Sequence, residues 1–172
     1  MPEVLATAWL NIFLETQIKD GERVLIHAGA SGVGTAAIQL CREFNHPCYV
    51  TVGSQEKLDQ CVDLGAIGGT VRQTDPFIDS VKSWTDRKGF DVILCPVGGG
   101  YLKDNMKALN TDGRLVIIGL MGGRSADLDV GRMLVKRIRV IGSTLRSRSN
   151  ADKTKLINSL RESVWPLVLE NK

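Results

Sequence analysis

The chain lacks any apolar run approaching the roughly 18 residues that a membrane helix needs, and no basic stretch followed by a cleavable apolar segment opens it. Neither a membrane span nor a secretory leader is expected. An excess of one charge is missing too. The 22 Lys and Arg stand against 19 Asp and Glu, a formal charge of +3 that is too small to argue for nucleic acid. The local basic run of Lys136, Arg137, Arg139, Arg146 and Arg148 reads as a solvated face. Paired cysteines are absent: Cys41, Cys48, Cys61 and Cys95 make neither a C-x-x-C pair nor a zinc-ligand spacing, and only His27 and His46 could join them. A reduced, cytoplasmic chain without a metal is the simplest expectation. Long linkers, low-complexity tracts and solenoid repeats are also missing. With 172 residues, 43% of them hydrophobic, the chain can bury one core, and a single domain over residues 1–172 is expected.

What is present is an apolar strand that runs into a turn of small residues. Residues 24–34 read Val-Leu-Ile-His-Ala-Gly-Ala-Ser-Gly-Val-Gly, and the apolar spacing after them is helical. Such a turn cradles a dinucleotide phosphate: the strand must stop sharply, backbone N–H groups must come close to a pyrophosphate, and the helix start must pack on the strand. The spacing Gly29-x-x-Gly32-x-Gly34 departs from the common G-x-G-x-x-G pattern, with Ser31 and Gly32 at the second close approach. His27, beside this turn, reads as a packing or hydrogen-bonding residue rather than a proton-transfer group.

Five more strand-length apolar runs follow, at residues 48–52, 69–71, 92–97, 114–118 and 140–145, with helical spacing between them. Helices are expected over 35–44, over 55–64 behind the N-cap Ser54, over 77–84 after Asp75 as N-cap and Pro76 in the first turn, and over 101–109. Val4, Leu5, Ala8, Trp9 and Ile12 form the stripe of an amphipathic helix near the amino terminus. This alternation predicts an α/β Rossmann fold, a doubly wound parallel six-stranded sheet of order 3-2-1-4-5-6 with helices on both faces. The ligand is expected at the carboxyl ends of the strands, at the switch between strands one and four.

The end of the second strand bears on which nucleotide is bound. NAD-preferring proteins usually place an Asp or Glu there to meet the ribose hydroxyls. This chain has Val52, Gly53 and Ser54, with Lys57 one turn later. No carboxylate stands ready to repel a 2′-phosphate, and Lys57 and Ser54 could hold one, so NADP (NADPH) is the expected cofactor.

The strings VLIHAGASGVGTAAIQL, TVGSQEKL, VGGGYL, DGRLVIIGLMGG and GSTLRSR resemble, in consistent order from residue 2 to 148, the cofactor-binding half of a quinone oxidoreductase. The family is the zinc-independent, zeta-crystallin-like branch of the medium-chain dehydrogenase/reductase superfamily, with particular similarity to its tumour-suppressor-inducible type. The resemblance implies hydride transfer from NADPH to a quinone or enone. It implies that Ser31, Gly32, Val33 and Gly34, after Gly29, hold the pyrophosphate, and that Gly53, Ser54 and Lys57 hold the 2′-phosphate. It also implies that Val97 and Gly98, then Gly119, Leu120 and Met121, then Thr144 and Leu145 flank the ribose and nicotinamide. A homodimer through strand 139–145 is implied as well.

Two substitutions depart from the family pattern. Its Asn-Tyr pair is replaced by Val71 and Arg72, the latter able to meet a phosphate with two N–H groups, and its aspartate at the end of strand four is replaced by Cys95. Related enzymes are about twice as long and carry a GroES-like, barrel-shaped substrate domain, which is absent from this chain. The fragment is therefore expected to hold NADPH and to be inactive alone. No catalytic residue is assigned; Tyr101 and Thr7 are tempting oxygen contacts, but packing explains each more simply. Two alternatives stand beside the quinone reductase reading: the cofactor domain of an enoyl or alkenal reductase, and a stand-alone NADPH-binding sensor or interaction module.

Overall fold

The computed structural model describes residues 2–170. Six parallel strands form one sheet in the order β3-β2-β1-β4-β5-β6: β1 Val24–His27, β2 Cys48–Val52, β3 Gly68–Val71, β4 Phe90–Cys95, β5 Leu109–Ile117 and β6 Arg139–Gly142. Val24 of β1 lies opposite Cys48 of β2 on one side and Val92 of β4 on the other. The chain thus reverses its direction of travel across the sheet between β1 and β4, and a crevice opens above that point. The expected α/β doubly wound architecture and strand order are found.

Burial on both faces explains why the strands read as continuous apolar runs. Side chains alternate across a strand. Val24 and Ile26 of β1, with Val92 and Leu94 of β4, enter one core, while Leu25, Phe90, Ile93 and Cys95 enter the other. The first core is covered by α1 (Pro2–Trp9), α2 (Gly32–Glu43), α3 (Gln55–Asp63) and α7 (Asn150–Ser163), and the second by α4 (Phe77–Trp84) and α5 (Gly99–Ala108). Val4, Leu5, Ala8, Trp9 and Ile12 all pack into the first core. The helix widens to a π-helical turn at Leu10–Leu14, where the Glu15 N–H reaches back to the Leu10 carbonyl at 2.8 Å. Phe13 there stacks on Trp9 with ring centroids 4.3 Å apart.

Several boundaries differ from expectation. Helix α2 begins at Gly32 rather than 35, and α5 begins at Gly99, so glycines form their first turns. Ser54 caps α3 as expected, accepting the Lys57 N–H at 3.4 Å. Helix α4 is capped differently: Pro76 occupies the N-cap without a side-chain bond, and the Asp75 carboxylate instead accepts the Thr74 hydroxyl at 2.8 Å. Strand β5 starts at Leu109 directly behind α5, and β6 ends at Gly142, leaving Thr144 and Leu145 in the loop beyond it. Two further helices, α6 (Val130–Lys136) and α8 (Trp165–Leu169), complete the described elements.

The basic run is mostly engaged within the chain. Arg137 makes a two-pronged ion pair with Asp112, Arg139 donates to the Thr16 carbonyl, Arg148 pairs with Glu15, and Lys136 donates to the Leu109 carbonyl. Among the described residues no helix is long and apolar enough to cross a membrane.

Candidate functional site

The turn after β1 is built by close backbone approach. Gly29 N–H donates to the Thr51 carbonyl at 3.0 Å, and Ser31 N–H donates to the Ala28 carbonyl at 2.9 Å. Ser31 then caps α2, its hydroxyl accepting the Gly34 N–H at 3.1 Å. Gly34 has no room for a side chain: a Cβ there would lie 2.6 Å from the Ala28 carbonyl oxygen and still closer to that of Gly29. Ala28 carries the left-handed backbone of the turn, with φ of 54°, a strain that a non-glycine residue rarely accepts. The α2 amino terminus is thereby aimed across the top of the sheet, with its first N–H groups and dipole available to an anion.

Above the turn lies a cleft of about 290 Å³. Ala28, Ala30 and Ser31 give one wall, Thr51, Val52 and Gly53 at the end of β2 the floor, and Val97, Tyr101 and Met121 the side toward β4 and β5. Lys57 and Arg72 close the far end. Both cations are exposed, neither is paired with a carboxylate among the described residues, and no carboxylate lines the cleft. Unneutralised positive charge therefore faces a groove whose other end is a helix amino terminus.

Beneath this cleft sits a buried polar bridge. His27, 1% exposed, joins Thr51 of β2 to Asn105 of α5: its Nδ1 accepts the Thr51 hydroxyl at 3.0 Å and its Nε2–H donates to Asn105 Oδ1 at 2.7 Å. Burial without a counter-charge holds the imidazole neutral and lowers its pKa from 6.5 to about 4. The ring meets Phe77 and Tyr101 edge-on, each at 4.8 Å. Its place in the fold is that of a hydrogen-bonded brace under the cleft, and Tyr101 is held by aromatic packing. Cys95 is wholly buried in the second core, and burial pushes its thiol pKa up.

Of the residues expected from sequence, Ser31, Gly53, Lys57, Arg72, Val97 and Met121 line one cleft. Gly29 and Gly34 shape the turn behind it, and Ser54 uses its hydroxyl to cap α3. Gly32 and Val33 open α2, but Gly32 turns its Cα toward Val4, where a Cβ would sit 3.1 Å from that side chain. Gly98, Gly119 and Leu120 belong to two loops held together backbone to backbone: Gly99 N–H donates to the Gly123 carbonyl at 3.0 Å and Gly122 N–H to that of Val97 at 2.7 Å. Thr144 and Leu145 are not brought to this cleft. Thr144 is exposed, and Leu145 lines a separate, open hollow with Glu3, Arg146 and Lys153. Sequence patterns do not single out Ala28, Ala30 and Thr51, whose small or strand-type side chains carry no chemical signature.

Among the described residues no group of three or more His, Cys, Asp or Glu is arranged to hold a metal ion. The residues present do fit a dinucleotide: a turn that only glycine can make, a capped helix start and two free cations lie along one groove.

The sequence model of the zinc-binding dehydrogenase family matches residues 32–162. The chain belongs to that family. It is thus an oxidoreductase-family domain of the medium-chain dehydrogenase/reductase superfamily. Polyketide synthase 37 of Dictyostelium discoideum is 33% identical over 122 residues, 69% of this chain and 4% of that protein. Quinone oxidoreductase-like protein 2 of Rattus norvegicus is 30% identical over 143 residues, 83% of this chain and 41% of that protein. Among solved structures, the CurK enoyl reductase matches with a TM-score of 0.80 at 27% identity, covering 100% of this chain and 51% of its own. The quinone oxidoreductase of Thermus thermophilus, solved also in complex with NADPH, matches at 0.78 and 28% identity, covering 92% of this chain and 50% of its own. The chain spans at most about half the length of these relatives.

Proposed function

We propose that this chain is the NADPH-binding domain of an oxidoreductase that reduces a quinone or enone. The observation that carries the reading is the end of β2: Gly53 and Ser54 stand where NAD-binding proteins place an acid, and Lys57 and Arg72 flank them without a carboxylate partner. In this reading the α2 start at Ser31 to Gly34, behind Gly29, faces the pyrophosphate. Gly53, Ser54, Lys57 and Arg72 hold the 2′-phosphate, and Val97, Gly98, Gly119, Leu120 and Met121 lie along the nicotinamide half. Bound there, the nicotinamide supplies a hydride equivalent to an electron-poor carbon. The chain's own contribution is to bind, orient and exclude water. No residue of the chain is given a proton to move.

Within the family we favour the zinc-independent, zeta-crystallin-like quinone oxidoreductases, a cytoplasmic homodimeric group, on the strings DGRLVIIGLMGG and GSTLRSR and the rat relative. A second reading has its own support: polyketide synthases are prominent among the relatives, and the CurK enoyl reductase is matched over the whole chain. The two differ in the acceptor, an enoyl thioester or a quinone, and share the cofactor site. The substrate domain is assigned to sequence outside residues 1–172, so turnover of either acceptor by this chain alone is expected to be negligible.

Titration calorimetry with NADPH and NADH tests the cofactor reading. Tighter binding of NADPH is expected, and equal affinities would overturn it.

A further inference from the structure

An Asp-Gly step is the place where a backbone is most open to attack by its own amide. Glycine carries no Cβ to shield its N–H, which can reach the carboxyl carbon of the preceding aspartate and close a succinimide ring. The chain holds two such steps, Asp20–Gly21 and Asp112–Gly113, and no Asn-Gly step. Their surroundings differ.

At Asp112–Gly113 both reacting groups are held. Arg137 Nε and Nη2 donate to the two oxygens of the Asp112 carboxylate, each at 2.7 Å. Through these hydrogen bonds Arg137 keeps the carboxyl below its ordinary pKa, in the anionic form that has no hydroxyl to lose. Gly113 is buried, and a Cβ on it would lie 2.8 Å from the Asn110 carbonyl oxygen. Ring closure there must break an ion pair and disturb close packing.

Asp20–Gly21 is open on both counts. Both residues are exposed, and the Asp20 carboxylate has neither a hydrogen bond nor an ion pair among the described residues. Gly21, at φ of 73°, has nothing within 4 Å of where a Cβ would stand, and its N–H has no acceptor. The turn nevertheless matters to the core. Glu22 N–H donates to the Lys19 carbonyl at 3.1 Å, and Lys19 N–H donates to Glu22 Oε2 at 2.8 Å. The Glu22 carboxylate so placed accepts both terminal guanidinium nitrogens of Arg114, which is 5% exposed and is anchored through Nε to the Thr16 carbonyl.

We propose that Asp20–Gly21 is a site of spontaneous isoaspartate formation, and that Arg137 protects Asp112–Gly113 from the same change. Gly21 N bonds to Asp20 Cγ as the Cγ–O bond breaks, and the amide proton and the carboxyl hydroxyl leave together as water. A second water then adds to the Asp20 backbone carbonyl carbon and breaks its bond to Gly21 N. One water is lost and one gained, and the main chain now runs through the side chain, one methylene longer. That extra length lies between Lys19 and Glu22, so it draws the Glu22 carboxylate away from Arg114 and leaves a buried cation short of its partner.

The test is ageing of the full chain at neutral pH over weeks, with isoaspartate at each step quantified by peptide mapping and mass spectrometry. The yield at Asp20 is expected to exceed that at Asp112 by about tenfold or more. Arg137→Gln should raise the yield at Asp112 severalfold and leave Asp20 unchanged. Asp20→Glu keeps the charge but must close a larger, less favoured ring, so it should remain unmodified at that step. The urea midpoint of the wild-type chain should fall with ageing, in step with the fraction modified at Asp20, while that of Asp20→Glu holds. Equal yields at the two steps, or none at Asp20, would overturn the assignment of the site. An Asp112 yield indifferent to Arg137→Gln would overturn the protective role, and an unchanged midpoint in the modified chain would overturn the link to Arg114.

Discussion

His27 Nε2–H donates to Asn105 Oδ1 across 2.7 Å, tying the last residue of β1 to the middle of α5 beneath the nucleotide cleft. Because the imidazole is buried and neutral, its pKa is lowered from 6.5 to about 4. The unfolded chain therefore binds a proton at His27 that the folded chain refuses between those values. Stability that His27 contributes is fully present above pH 6.5 and is lost as pH falls toward 4. By linkage the loss is about 3 kcal/mol. Burial also lowers the pKa of His46, which adds a contribution of the same sign. Urea unfolding at pH 7 and pH 4 should show the drop, and His27→Gln should remove most of this pH dependence while lowering stability at pH 7. An undiminished pH dependence in that variant would contradict the assignment.

The turn after β1 yields two substitutions of opposite sign. Ala28, at φ of 54°, carries the left-handed penalty that glycine avoids, so Ala28→Gly should stabilise the chain by about 1 kcal/mol. Gly34→Ala drives a Cβ to 2.6 Å from a backbone carbonyl oxygen that cannot move without opening the turn. It should cost roughly 1–3 kcal/mol and abolish dinucleotide binding. Denaturant midpoints check both, and stabilisation by Gly34→Ala would show that the turn is looser than described.

Strand β6 is the outer strand of the sheet, and its free edge invites a second copy. The Ser143 N–H donates inward to the Ile117 carbonyl at 3.0 Å. By alternation, the N–H groups of Val140 and Gly142 point away from β5. We expect a homodimer formed by two such edges, with light scattering at micromolar concentration giving twice the 18.8 kDa chain mass. Gly142→Pro removes an outward N–H and should shift the chain to monomer. A monomeric mass for the unmodified chain would defeat the expectation.

The core of the fold is legible in the sequence because both of its signals are local. Val24, Leu25 and Ile26 are apolar on consecutive positions, as a strand buried on two faces must be, and Ser54 caps α3 from the position its chemistry favours. Boundaries are less legible where glycine enters a helix, as at Gly32 and Gly99, against its intrinsic preference. Strand β5 reads short in sequence because Asn110 to Gly113 looks like a turn. Asp112 does adopt φ of 61° there, yet Leu109 still pairs with Phe90 before a register shift. In the site, charged and glycine residues such as Lys57, Arg72 and Gly34 announce themselves. The family resemblance puts Leu145 at the cleft, near the end of a strand read as running to residue 145. The structure ends β6 at Gly142 and turns Leu145 toward α7 instead.

Recognition of a 2′-phosphate by Lys57 and Arg72 stands or falls on a charge-reversal cycle. The ratio of NADH to NADPH dissociation constants should be measured by calorimetry for the wild-type chain, for Lys57→Glu, for Arg72→Glu and for the double variant. Each reversal replaces a charge-assisted contact with repulsion, so each should cut the preference for NADPH by about tenfold or more, and the double variant should prefer NADH. A wild-type ratio near one, or a ratio that none of the variants changes, would refute the assignment of these two cations to the phosphate.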